Sequence, residues 1–121
     1  MLAIVERMRL RPDDRVLEIG CGHGVAADYI CRRLAGGHLL AIDRSRKMIE
    51  AATRRNAAHV AAGKAEFAIA DLEKFDPGAQ RFDKILAVRV GLFQQEPERT
   101  RSLVARWLAP GGQLIVEYDT P

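Results

Sequence analysis

The chain has 121 residues, 48% of them hydrophobic and 29% charged, with a formal net charge of +3. That length suits one domain, residues 1–121, and is too short for two independent cores. Its arginines are scattered, which argues against a nucleic-acid footprint, and no apolar run approaches membrane-spanning length.

The opening MLAIVERMRL reads as a short helix closed by Pro12. Glu6, Arg7 and Arg9 interrupt its apolar start too early for a secretory leader. RVLEIG (15–20) is a strand, and VAADYICRRLA (25–35) a helix whose stripe is Ala26, Ile30 and Leu34, stopped by Gly36 and Gly37. HLLAID (38–43) is the second strand. Ser45 then N-caps a helix with Met48, Ile49 and Ala52 on its inner face, running to near Gly63. AEFAIAD (65–71) is the third strand, LEKFDPGAQR a loop, and FDKILAV (82–88) the fourth strand. Pro97 opens a helix with Leu103, Val104, Trp107 and Leu108 as its buried stripe. PGG then turns the chain into a fifth strand, QLIVEYD (113–119).

The strands are runs of Ile, Leu, Val and Ala more than clean alternations, as befits strands covered on both faces. Strand and helix alternate, so right-handed crossovers predict an α/β three-layer sandwich around a doubly wound parallel five-stranded sheet. Cys21 and Cys31 fit no metal-ligand spacing and no disulfide framework; reduced thiols in a cytoplasmic protein are expected. Asp13 and Asp14 read as turn chemistry before the first strand, and Tyr29 and Trp107 as core or interface residues.

The segment VLEIGCGHG (16–24) places three glycines two apart directly after a strand. Glycines chosen for conformation alone would make a simple helix-starting turn. The alternative is a backbone cradle, because ligands of doubly wound sheets sit at the carboxyl ends of the strands. Asp43 favours the cradle: it closes the second strand nineteen residues after Gly24, about where an acid accepts hydrogen bonds from a ribose diol. Losing such charge-assisted bonds costs about 1.5–3 kcal/mol, on the order of 10- to 150-fold in affinity. A dinucleotide fingerprint needs glycine or alanine where Val25 stands, and Glu18 is unfavourable beside a pyrophosphate. Beside an ammonium or sulfonium the same carboxylate is favourable. The turn therefore suits a nucleoside carrying positive charge better than NAD(P) and an oxidoreductase.

These segments resemble the class I S-adenosylmethionine-dependent methyltransferases. VLEIGCGHG looks like their first motif, AIDRSRKMI the second, AEFAIADLEKF the third and FDKILAVRVGLF the fourth. LVARWLAPGGQLIVEY looks like the segment entering their fifth strand. The resemblance implies sheet order 3-2-1-4-5 and S-adenosyl-L-methionine as cofactor. It places the Gly20, Cys21 and Gly22 backbone, in the turn closed by Gly24, along the methionine moiety and ribose. It puts Glu18 near the ammonium and Asp43 on the ribose. Arg44 and Met48 would pack near the adenine, Asp71 and Leu72 on its edge, and Val88 at the methyl-transfer end.

The same resemblance sets expectations where the chain departs from it. The family sheet has an antiparallel C-terminal hairpin that this chain lacks, so QLIVEYD is expected at an edge with no proline or lysine guarding it. Either a homodimer covers that edge or the adjacent helix, or the chain is a truncated form, even a non-catalytic binding module. No Asn/Asp-Pro-Pro-Tyr signature follows the fourth strand and no cysteine lies there, which disfavours nucleic acid and leaves a small-molecule acceptor. His23 reads as an exposed spacer more simply than as an acid–base group. Arg89 reads as a surface arginine, with steering of an acidic substrate as the alternative.

Overall fold

The computed structural model describes residues 1–117. Along the chain run α1 (Leu2–Arg7), β1 (Arg15–Ile19), α2 (Val25–Arg32), β2 (His38–Asp43), α3 (Arg46–Arg55) and α4 (Ala57–Ala61). There follow β3 (Ala65–Ile69), β4 (Phe82–Val88), α5 (Gly91–Gln95), α6 (Pro97–Ala105) and β5 (Leu108–Glu117). The five strands form one parallel sheet in the order β3-β2-β1-β4-β5, as expected.

The period-2 alternation of the strands sorts their side chains between two layers. Val16, Leu39, Ala41, Leu86 and Val88 pack with α1, α2 and α3. Leu17, Ile19, Leu40, Ile42, Ile85 and Ala87 pack on the other face with Phe93 of α5 and Val104 of α6. Central strands buried on both faces explain the near-continuous apolar runs: β2 and β4 have the limits read from sequence. Ala26, Ile30 and Leu34 are buried as read, but α2 ends at Arg32, so Leu34 lies just past the helix and not on its stripe.

Four expectations need correction. The helix after Ser45 does not run unbroken to Gly63; it divides at Asn56 into α3 and α4. Asn56 is buried, and its Nδ2 donates to the Ala52 carbonyl (2.9 Å) and to the Gly24 carbonyl (3.0 Å). A side chain that seeks backbone carbonyls interrupts a helix and here ties it to the glycine turn. Second, α5 lies between the fourth strand and Pro97, where the sequence reading assigned no element. Third, α6 ends at Ala105, so Trp107 and Leu108 are not on its stripe. Trp107 instead packs edge-to-face on Phe75, with ring centroids 5.2 Å apart, and Leu108 already pairs with Phe82 in the sheet.

Fourth, the PGG turn lies within β5. Pairing jumps from Phe82–Leu108 to Lys84–Gln113, so residues 109–112 bulge out before the strand resumes. Pro110 has no N–H to give the ladder, and edge strands tolerate this where central ones do not. The edge therefore does carry a proline, although the run Gln113–Glu117 beyond it does not. Tyr118 and Asp119 of the predicted strand lie outside the described residues.

Replacing Asn56 with alanine removes two hydrogen bonds at a buried junction. The Asn56→Ala variant should lose about 1–3 kcal/mol of stability, measured as a lower urea midpoint at unchanged slope.

Candidate functional site

The chain order reverses between β1 and β4, and a crevice opens above the carboxyl ends of these strands, as in other doubly wound sheets. It encloses about 550 Å³, within the range of small-ligand sites. Its floor is the glycine turn after β1. Gly20 and Cys21 N–H both donate to the Ile42 carbonyl, at 2.8 and 3.1 Å. Gly22 N–H donates to Asp43 Oδ2 at 2.9 Å, and Ser45 N–H to Asp43 Oδ1 at 2.9 Å. One carboxylate thus joins the turn to the start of α3. Ser45 Oγ then accepts Met48 N–H (3.2 Å), capping α3 as read from sequence.

Two glycines do different work. At Gly24 (φ +91°) a Cβ would sit 2.6 Å from Asn56 Nδ2 and 3.0 Å from Ala52, so this glycine lets α2 approach α3. At Gly22 (φ +56°) a Cβ would meet nothing within 4 Å. The turn there borders open cavity, which is space a ligand's atoms could fill.

Of the residues singled out in the sequence, Gly20, Cys21, Gly22 and Asp43 line the crevice. So do Arg44, Asp71, Leu72 and Val88. Asp71 caps its own turn by accepting Glu73 N–H (3.0 Å), which fixes its carboxylate at the rim. Glu18, Gly24 and Met48 stand outside the lining. Gly24 is packing, Met48 is half-buried on the first turn of α3, and Glu18 lies beneath the turn. His23 is an exposed lining residue whose carbonyl accepts from Arg55, consistent with a spacer. Val90, Gly91, Leu92 and Gln95 also line the crevice and were missed, because they belong to the unforeseen α5 region.

Residues 16–112 match the family described as a methyltransferase domain. The chain belongs to that family. It is 35% identical over 118 residues to a protein-L-isoaspartate O-methyltransferase of Methylorubrum populi, covering 98% of this chain and 51% of that protein. With phosphoethanolamine N-methyltransferase 1 of Zea mays identity is 30% over 112 residues, covering 93% and 22%. The solved S-adenosylmethionine-dependent methyltransferase of Thiobacillus denitrificans, in complex with S-adenosyl-L-homocysteine, superposes with a TM-score of 0.81 at 28% identity, covering 95% and 46%. The chain thus spans about half the length of the first of these relatives and less of the second.

In this methyltransferase domain the electrostatics centre on Glu18. It follows Val16 in the strand's alternation, so it enters the α2 layer and is 2% exposed. Its Oε1 has no hydrogen-bond partner among the described residues. Burial, and secondarily the charge of Asp43, push its carboxyl up to about 8. Cys21 and Cys31 are likewise held up by burial, Cys31 to about 12, so neither thiol is a ready nucleophile. Among the described residues no cluster of His, Cys, Asp and Glu could hold a metal ion, and no helix is long and apolar enough to cross a membrane.

Because Glu18 holds its proton more tightly folded than unfolded, its stabilising contribution is complete below about pH 4.5 and is lost as pH rises through about 8. The loss should reach a few kcal/mol. Thermal unfolding at pH 5 and pH 8 should show a fall in Tm that Glu18→Gln, which keeps the shape without the charge, largely abolishes.

Proposed function

We propose that this chain binds S-adenosyl-L-methionine in the crevice and transfers its methyl group to a small-molecule acceptor. The observation that carries this reading is the joint between the glycine turn and Asp43. Both Asp43 oxygens are held by backbone N–H groups, yet each keeps a lone pair for a further donor, which a ribose diol supplies. Asp71 and Leu72 offer a polar and an apolar edge for the adenine, beside Arg44 at the rim. Gly20, Cys21 and Gly22 give a wall without obstructing side chains along the methionine portion, and Val88 borders the end where transfer occurs.

The cofactor supplies an electrophilic methyl group on a sulfonium. The protein's contribution is to hold the reacting centres in line and to keep water away, which for such displacements supplies a large part of the barrier reduction. Ile19, Ile42, Leu72 and Val88 give the crevice the apolar surface for this. The acids Asp43 and Asp71 favour a cationic ligand, and Glu18 adds negative potential from beneath the turn when a nearby cation favours its ionised form. These same acids oppose a pyrophosphate, which places NAD(P) second. The relatives named above act on oxygen in one case and nitrogen in the other, so the acceptor atom is left to experiment.

Calorimetry should give binding of S-adenosylhomocysteine and none of NADH; the reverse would overturn the proposal. Tritium transfer from labelled cofactor to a metabolite panel separates an active enzyme from a binding module. Asp43→Ala should weaken S-adenosylhomocysteine by about 10- to 150-fold. It should also cost about 1–3 kcal/mol of stability, because it frees two backbone amides. Gly22→Ala should lose affinity, since its methyl group would enter open cavity, and should cost about 1–2 kcal/mol of stability because the backbone there is left-handed (φ +56°).

A homodimer through β5 remains part of this reading: its outer side is a sheet edge, and Ile115 and Val116 on it are only half-buried. Light scattering that shows a monomer at high concentration would remove it.

A further inference from the structure

Cations scattered along the sequence are not spread evenly over the fold. The helix α3, Arg46–Arg55, holds Arg46, Lys47, Arg54 and Arg55 against one acid, Glu50. Its net charge of +3 equals that of the whole chain, so the rest of the molecule balances to zero. All four cations are exposed, while Ile49 and Ala52 turn the opposite face to the core. Lys47 and Arg54, two turns apart, lie along one line of the outer face. Nothing in the fold calls for this charge. Arg46 and Lys47 stand in the first turn, where the positive end of the helix dipole disfavours cations, and no acid in that turn offsets them. Glu50 is four residues from both Arg46 and Arg54, the spacing at which ion pairs form on a helix. Yet among the described residues no carboxylate forms an ion pair with any of the four cations. A face kept for solubility alone mixes both signs. Both ends of α3 also touch the glycine turn. Ser45, just before the helix, is joined through Asp43 to Gly22, and Arg55 Nε donates to the His23 carbonyl at 3.2 Å. The basic face therefore borders the rim of the crevice.

We infer that the outer face of α3 docks a protein with an acidic surface, whose carboxylates pair with Arg46, Lys47 and Arg54 and seat it beside the crevice. The helix presents these cations along about 15 Å, room for several separate ion pairs. Guanidinium groups take carboxylates through paired N–H donors. A nucleic-acid strand fits less well. Its unbroken row of phosphates would run from α3 onto Asp43, Asp71 and Glu73 at the crevice, and α3 has no aromatic side chain on which a base could stack. An anionic membrane also fits less well, because Arg46, Lys47, Glu50 and Arg54 leave the outer face no large apolar side chain to insert. The methyl-transfer reading is not needed for this, since no cofactor contact enters the argument.

Fluorescence anisotropy of labelled poly-L-glutamate, titrated with the whole chain at low salt, tests the inference. The peptide should bind, and added salt should weaken it. Arg46→Glu combined with Lys47→Glu should lower the affinity at least about tenfold, as two attractions become repulsions. Lys74→Glu combined with Arg101→Glu makes the same change in net charge at exposed cations outside α3. That pair should lower the affinity no more than about threefold. Arg54→Gln, at the far end of the face, should lower it about two- to fivefold. Thermal unfolding gives a separate readout. Glutamate in a first turn suits the helix dipole, so the Arg46→Glu, Lys47→Glu variant should melt no lower than the unaltered protein. A lower melting temperature would show that these cations serve the fold, and would overturn the inference. So would equal losses in the two paired variants, or no binding of poly-L-glutamate. Tighter, α3-dependent binding of an oligothymidylate of matched charge, or of phosphatidylglycerol vesicles, would overturn it in favour of a nucleic acid or a membrane.

Discussion

The Asp43 carboxylate holds the site together. Its two oxygens take one amide from the glycine turn after β1 and one from the start of α3, while the Ile42 carbonyl beside it takes two more from the turn. Three N–H groups of the turn and one at the start of α3 thus find their acceptors on two adjacent residues of β2. Three of the turn's five residues, Gly20, Gly22 and Gly24, have no side chain with which to hold a shape. Beside its own Gly24 N–H to Cys21 carbonyl bond (3.1 Å), the turn is held from outside, by the neighbouring strand and, at Gly24, by Asn56. Under the proposed function, changes at Asp43 act on ligand contact and on the shape of the cradle together, and a lowered affinity has to be read beside the stability of the same variant.

Much of this arrangement was legible in the sequence, and the reasons are specific. HLLAID and FDKILAV have the limits of β2 and β4 because a central strand of a parallel sheet needs an uninterrupted apolar run, with punctuation on either side. Ser45 announced its helix because a hydroxyl before a helix has a local backbone partner. What could not be read depends on partners far along the chain. Asn56 breaks a helix because Gly24, thirty-two residues earlier, presents a carbonyl to it. Trp107 left its supposed stripe for Phe75, in the loop after β3. With five residues, α5 is too short to show a period.

Glu18 is a different case, because the information was present. Val16 and Glu18 are two apart in a strand and share a face, and Val16 belongs to the helix layer. Alternation alone sends Glu18 beneath the turn. The expectation of a carboxylate near the ligand drew on chemical complementarity; the alternation adds that this carboxylate is buried. A buried, largely desolvated acid acts on the crevice through its field, and the strength of that field depends on its protonation. Its influence on a cation above the turn therefore grows with pH as the folded protein's stability declines.

The placement of residues around the crevice follows from the same topology. A doubly wound sheet places the ends of β2 and β3 on one side of β1 and the end of β4 on the other, so residues after consecutive strands cannot mix freely around the crevice. Asp43 and Asp71 follow from the first half of the winding and Arg89 from the second. Residues after β4 can change without disturbing the Asp43 joint, because no described hydrogen bond of Asp43 reaches β4. Gly20 lies against the loop after β4. A Cβ there would lie 2.9 Å from the Val90 side chain, so the turn and the loop after β4 must keep their spacing even as the rest of that loop changes.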